Sequence, residues 1–120
     1  MLLDGMRPGA DGAELFARAV ALAERLGFAR EFLGAAGRKI KFCGHGVGLE
    51  LSEPPYLAKG RRESLEEGNT LALELKMVLP DIGAVGLENT VAVTTGGGVV
   101  LSPADADWLV LDGRGGAASA

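Results

Sequence analysis

The sequence predicts an α+β domain in which one amphipathic helix packs on an antiparallel sheet. Three observations carry this: an apolar stripe at helical spacing in residues 13–26, two alternating segments at 70–78 and 85–94, and turn residues between those segments. The 120 residues are enough for one core. Glycine supplies 19 of them, about twice the usual share, so tight turns and close backbone approaches are expected.

At the N-terminus Asp4 stands where an export signal would carry a basic region and a long apolar stretch, so no export signal is expected. In the helix, Leu15, Phe16, Ala19, Val20, Leu22, Ala23 and Leu26 form the stripe. Asp11 followed by Glu14 has the spacing of a capping box, and Gly27 sits at the position of a C-terminal cap.

Residues 29–38 show no clear period. Ile40 and Phe42 then alternate with Lys39, Lys41 and Cys43, predicting a short strand that delivers the chain into Gly44-His45-Gly46-Val47-Gly48. Residues 52–69 hold Pro54, Pro55, Gly60, Gly68 and the charges Arg61, Arg62 and Glu63, the composition of a long surface loop or linker.

In the next strand Leu71, Leu73, Leu75 and Met77 occupy one set of alternate positions, and Ala72, Glu74, Lys76 and Val78 the other. The following strand places Val85, Leu87, Val91 and Val93 on one face and Gly86, Glu88, Thr90, Ala92 and Thr94 on the other. Pro80-Asp81-Ile82-Gly83 joins them as an antiparallel hairpin. An odd loop centred on Asp81 sets Glu74 directly opposite Glu88, whereas a two-residue loop sends them to opposite faces.

Gly96-Gly97-Gly98 predicts a second turn before Val99-Val100-Leu101. Trp108 is expected to pack the C-terminal segment, and the Gly/Ala/Ser-rich residues 112–120 to form a flexible tail after a domain spanning 1–111.

Twelve basic against sixteen acidic side chains leave a net charge of -4, which gives no support to nucleic acid or an anionic membrane as partner. Cys43 is the sole cysteine, which excludes an internal disulfide and a cysteine-based zinc site. It reads as a small buried hydrophobe, and a cytoplasmic location is the default. The glycines around His45 do not have dinucleotide-binding spacing, and no phosphate loop is present.

His45, Glu74 and Glu88 are the residues best suited to chemistry, since one imidazole and two carboxylates match a divalent first-row metal such as Mn, Co, Fe or Zn. Gly44-His45-Gly46-Val47-Gly48-Leu49-Glu50 with Glu53-Pro54-Pro55-Tyr56 resembles the histidine motif of the methionine aminopeptidase, prolidase and creatinase-like family. Leu65-Glu66-Glu67-Gly68-Asn69-Thr70 leading to Leu73-Glu74-Leu75-Lys76 resembles that family's next block. Gly86-Leu87-Glu88-Asn89-Thr90-Val91-Ala92-Val93-Thr94 resembles its last.

The resemblance, strongest to the Xaa-Pro peptidase-like branch, implies the C-terminal half of a pita-bread fold with a curved sheet. It implies His45 as a terminal metal ligand, Glu74 as a ligand that also handles the proton, and Glu88 as a carboxylate bridging two metals. The implied reaction is hydrolysis of an N-terminal peptide bond by metal-bound hydroxide. The family's two aspartate ligands belong to an N-terminal half that this sequence lacks, so at most one ion is expected to be held, weakly, and a completing half or a homodimer is the expected partner. Ser52 stands where many members place a substrate-contacting histidine, and is the candidate for that contact. The other readings are a non-catalytic interaction module and a creatinase-like amidohydrolase fragment.

Overall fold

A computed structural model describes residues 2–102, 109–111 and 117–119. A short helix α1 (Leu2–Gly5) precedes α2 (Gly12–Arg25). Five strands, β1 (Phe42–Gly46), β2 (Glu53–Ala58), β3 (Thr70–Leu79), β4 (Gly83–Thr94) and β5 (Gly97–Val100), form one antiparallel sheet in the order β2-β1-β3-β4-β5.

The helix forms where its apolar stripe predicts. The Asp11 carboxylate caps its start by accepting from the amides of Ala13 (2.8 Å) and Glu14 (3.2 Å). At its end Gly27, at φ 84°, donates to Glu24 O and Phe28 donates to Ala23 O, so two terminal carbonyls are satisfied. Leu15, Phe16, Ala19 and Ala23 are buried against Leu57, Leu71, Leu73, Val91 and Val93 of the sheet. The odd-numbered residues Leu71, Leu73, Val91 and Val93 therefore supply the core, as the alternation predicts, whereas Val85 and Leu87 of the same predicted face are exposed near the hairpin turn.

The hairpin takes the odd loop. Leu79 pairs with Gly83 around Pro80, Asp81 and Ile82, and the register runs unbroken to Thr70 opposite Ala92. Asp81 at φ 62° supplies the left-handed residue of the turn.

Three expectations are corrected. Residues 52–69 are not one long loop, because Glu53–Ala58 is strand β2. It lies at the sheet edge, where prolines are accommodated since an edge strand leaves some amides without ladder partners. The strand expected over 39–43 is displaced to Phe42–Gly46, which puts His45 inside the sheet rather than after a strand. Its glycines permit this, since a Cβ on Gly46 would lie 2.5 Å from Pro54 O. The second turn is confined to Thr95 and Gly96, with Gly97 and Gly98 already in β5. Thr94 Oγ1 closes it by donating to Gly97 O (2.7 Å) and accepting from the Gly96 amide (3.2 Å).

Beyond the sheet, β6 (Leu109–Leu111) pairs antiparallel with β7 (Ala117–Ser119). The segment expected as a tail thus contributes β7, whereas Trp108 lies outside the described residues.

Candidate metal centre

Three strands bring the predicted residues onto the sheet face opposite α2. His45 on β1 pairs with Ala72 on β3, and Ala72 pairs with Thr90 on β4. Two residues along β3, Glu74 pairs with Glu88. Alternation then turns His45, Glu74 and Glu88 to one side.

His45 is buried, with 7% of its surface exposed, and its ring is fixed from both ends. Nδ1 donates to Gly46 O at 2.9 Å, since a carbonyl only accepts. Nε2 lies 2.9 Å from Glu74 Oε1. With Nδ1 as the donor, the Nε2 lone pair is turned toward the Glu74 carboxylate, so a nitrogen and an oxygen donor face the same point.

The second oxygen of Glu74, Oε2, accepts from Lys76 Nζ at 2.9 Å. The Lys76 hydrogen bond holds the Glu74 carboxyl below its ordinary range, partial burial opposes this, and the Lys76 charge and the His45 hydrogen bond reinforce it. Glu88 is exposed. Glu74, Lys76, Gly86 and Glu88 line an open cleft of about 280 Å³.

Nε2 and Oε1 fit a metal as a pair: two donors each 2.0–2.2 Å from one ion, at right angles to it, lie about 3 Å apart. Their chemistry, imidazole nitrogen and carboxylate oxygen, suits Mn, Fe, Co or Zn. Among the described residues, no three His, Cys, Asp or Glu side chains converge closely enough to enclose an ion.

Comparison with known proteins bears on the family of the chain. A family model, Metallopeptidase family M24, matches residues 1–95. The chain belongs to metallopeptidase family M24. The Xaa-Pro dipeptidase of Pyrococcus furiosus is 28% identical over 107 residues, covering 89% of this chain and 29% of that protein. The agropine synthesis cyclase of Rhizobium rhizogenes is 34% identical over 103 residues, covering 86% of this chain and 24% of that protein. Among solved structures, the prolidase from Pyrococcus furiosus superposes with a TM-score of 0.73 at 29% identity, covering 87% of this chain and 29% of that one.

The M24 chain thus spans under a third of the length of these relatives, and its helix-on-sheet unit is part of the pita-bread fold. Ser52 stands exposed in the β1–β2 connection, and its carbonyl accepts from the Tyr56 hydroxyl at 3.2 Å. No hydrogen bond joins Ser52 to the His45–Glu74 pair among the described residues. Sequence reasoning assigned no role to Lys76, although the signal was available: a residue two positions from Glu74 in a strand shares its face. Cys43 is fully buried, and burial pushes its thiol up to about 12, which leaves it inert as a nucleophile. No described helix is long and apolar enough to cross a membrane.

Proposed function

We propose that this chain carries part of the divalent-metal site of an Xaa-Pro dipeptidase-like M24 hydrolase, with His45 and Glu74 as ligands of one ion and Glu88 as the carboxylate that would bridge it to a second. The observation that carries this reading is the 2.9 Å approach of His45 Nε2 to Glu74 Oε1 on the face that also bears Glu88. A divalent ion held there supplies Lewis acidity toward a peptide carbonyl. The chain's own contribution is to orient the imidazole through Gly46 O, and to hold a Glu74 oxygen beside it that can accept and return a proton.

The remaining ligands, in this reading, come from sequence outside these 120 residues or from a second copy of the chain. The site is incomplete alone, so a single ion binds weakly and peptide hydrolysis is slight or absent. Calorimetric titration with Mn²⁺ or Co²⁺ tests the first part: binding is expected for the native chain and lost in His45→Ala and Glu74→Gln. Turnover of an Xaa-Pro dipeptide by the chain with added Mn²⁺, abolished by Glu88→Ala, would overturn the second part. The cyclase among the relatives favours a second reading, in which the same face serves a cyclisation rather than peptide hydrolysis. Ring closure of a linear substrate without turnover of an Xaa-Pro dipeptide, measured on the longer protein, is its signature.

A further inference from the structure

The Lys76 ammonium has a place in this site that its role as a surface charge does not require. It lies on β3 two residues from Glu74, on the same face, and Nζ is 2.9 Å from Glu74 Oε2. The backbone beneath it is fixed, because its carbonyl accepts from Leu33 N–H at 2.8 Å while Val78 N–H donates to Glu31 O at 2.9 Å. Directly across the ladder stands Gly86, where an added Cβ would meet the Lys76 Cβ at 3.4 Å, so the lysine stem packs over the glycine. The lysine side chain is 30% exposed, so the contact is partly shielded from solvent.

From this placement we infer that Lys76 is a positioning residue that restricts Glu74 to ligation through a single oxygen. With Oε2 taken by the ammonium, only Oε1 is presented beside His45 Nε2. The inference rests on the reading of His45 and Glu74 as ligands. Without Lys76, both Glu74 oxygens become available to one ion, and a cationic charge beside that ion disappears. Both changes act in the same direction, toward tighter metal binding and one more oxygen donor.

Cobalt tests this, because its visible absorption weakens as coordination number rises. The whole chain is titrated with Co²⁺ as the native protein and as Lys76→Met, Lys76→Arg and His45→Ala, after circular dichroism has shown native secondary structure in each. Lys76→Met is expected to bind Co²⁺ about tenfold tighter, the scale on which one neighbouring charge shifts a bound cation. Its molar absorptivity is expected to fall, and Lys76→Arg to restore native affinity and spectrum. If Co²⁺ binds, is lost in His45→Ala, and yet has the same affinity and spectrum in Lys76→Met, the lysine role is overturned while the metal reading stands. Weaker binding in Lys76→Met also overturns it. If His45→Ala binds Co²⁺ as the native chain does, or nothing binds, the metal reading fails and the inference fails with it.

Discussion

Glu74 and Glu88 are direct cross-strand partners in the β3–β4 ladder, two carboxylates at the same level of one sheet face. Like charges directly opposite destabilise a sheet, and the Lys76 ammonium and the His45 ring offset this at Glu74. In metal-free solution Glu88→Gln should therefore stabilise the chain, by about 0.2–0.5 kcal/mol. Urea midpoints at low ionic strength measure this, and added salt should shrink the difference. A destabilised Glu88→Gln would mean that the carboxylate has a favourable partner.

The depressed pKa of Glu74 has a definite consequence for acid stability. A carboxylate whose folded pKa lies below its unfolded value, about 4.3, stabilises the fold above that pH and loses the contribution as pH falls through the folded value. Glu74→Gln should flatten the acid limb of the stability curve below about pH 4.3. Urea titrations at stepped pH check the sign, and an acid limb as steep as that of the native chain would contradict it.

The core face should respond to truncation rather than to charge. Leu71 is fully buried, so Leu71→Ala should cost about 2–5 kcal/mol. The same measurement on the exposed loop residue Leu49, wholly open to solvent, should register within about 0.5 kcal/mol. Equal losses at the two positions would be incompatible with this packing.

Cys43 should resist thiol reagents while the chain is folded. Its side chain is inaccessible and its thiol is held up to about 12. Modification by a disulfide reagent at pH 8 should therefore follow unfolding and accelerate with urea. Prompt reaction in native buffer would show that β1 opens readily.

The loop that sets the register has its own test. Asp81 occupies a left-handed conformation at φ 62°. A β-branched residue there clashes with its own backbone, so Asp81→Val should cost about 1–2 kcal/mol, read from the thermal midpoint. An unchanged midpoint would mean that the turn takes another form.

These residues also show where the sequence was readable. Periodicity located α2, β3 and β4 because each buries a face whose spacing is written in its leucines and valines. Parity arithmetic reduced the glutamate question to loop length, yet loop length depends on the backbone at Asp81, which no hydrophobic pattern records. Strand β2 was hidden by its prolines, since composition does not distinguish an edge strand from a loop. His45 was recognised as a site residue but expected outside the sheet, because a Gly-His-Gly strand carries no apolar alternation. The Lys76 contact stayed unread for another reason: strand parity gives a shared face, whereas the oxygen a side chain meets depends on side-chain rotamers that no hydrophobic pattern records.

The separation of the two faces of β3 has a consequence for how this segment can change. Core-facing Leu71 and Leu73 can be exchanged for other apolar residues of similar volume without moving a charge on the opposite side. Substitutions at Glu74 and Lys76 alter charge without opening a cavity. A saturation library across Thr70–Leu79, sorted once for folding and once for cobalt binding, should therefore yield two profiles that alternate out of phase. In the proposed reading β3 thus carries two nearly independent records, one of how the chain folds and one of the ion it would bind.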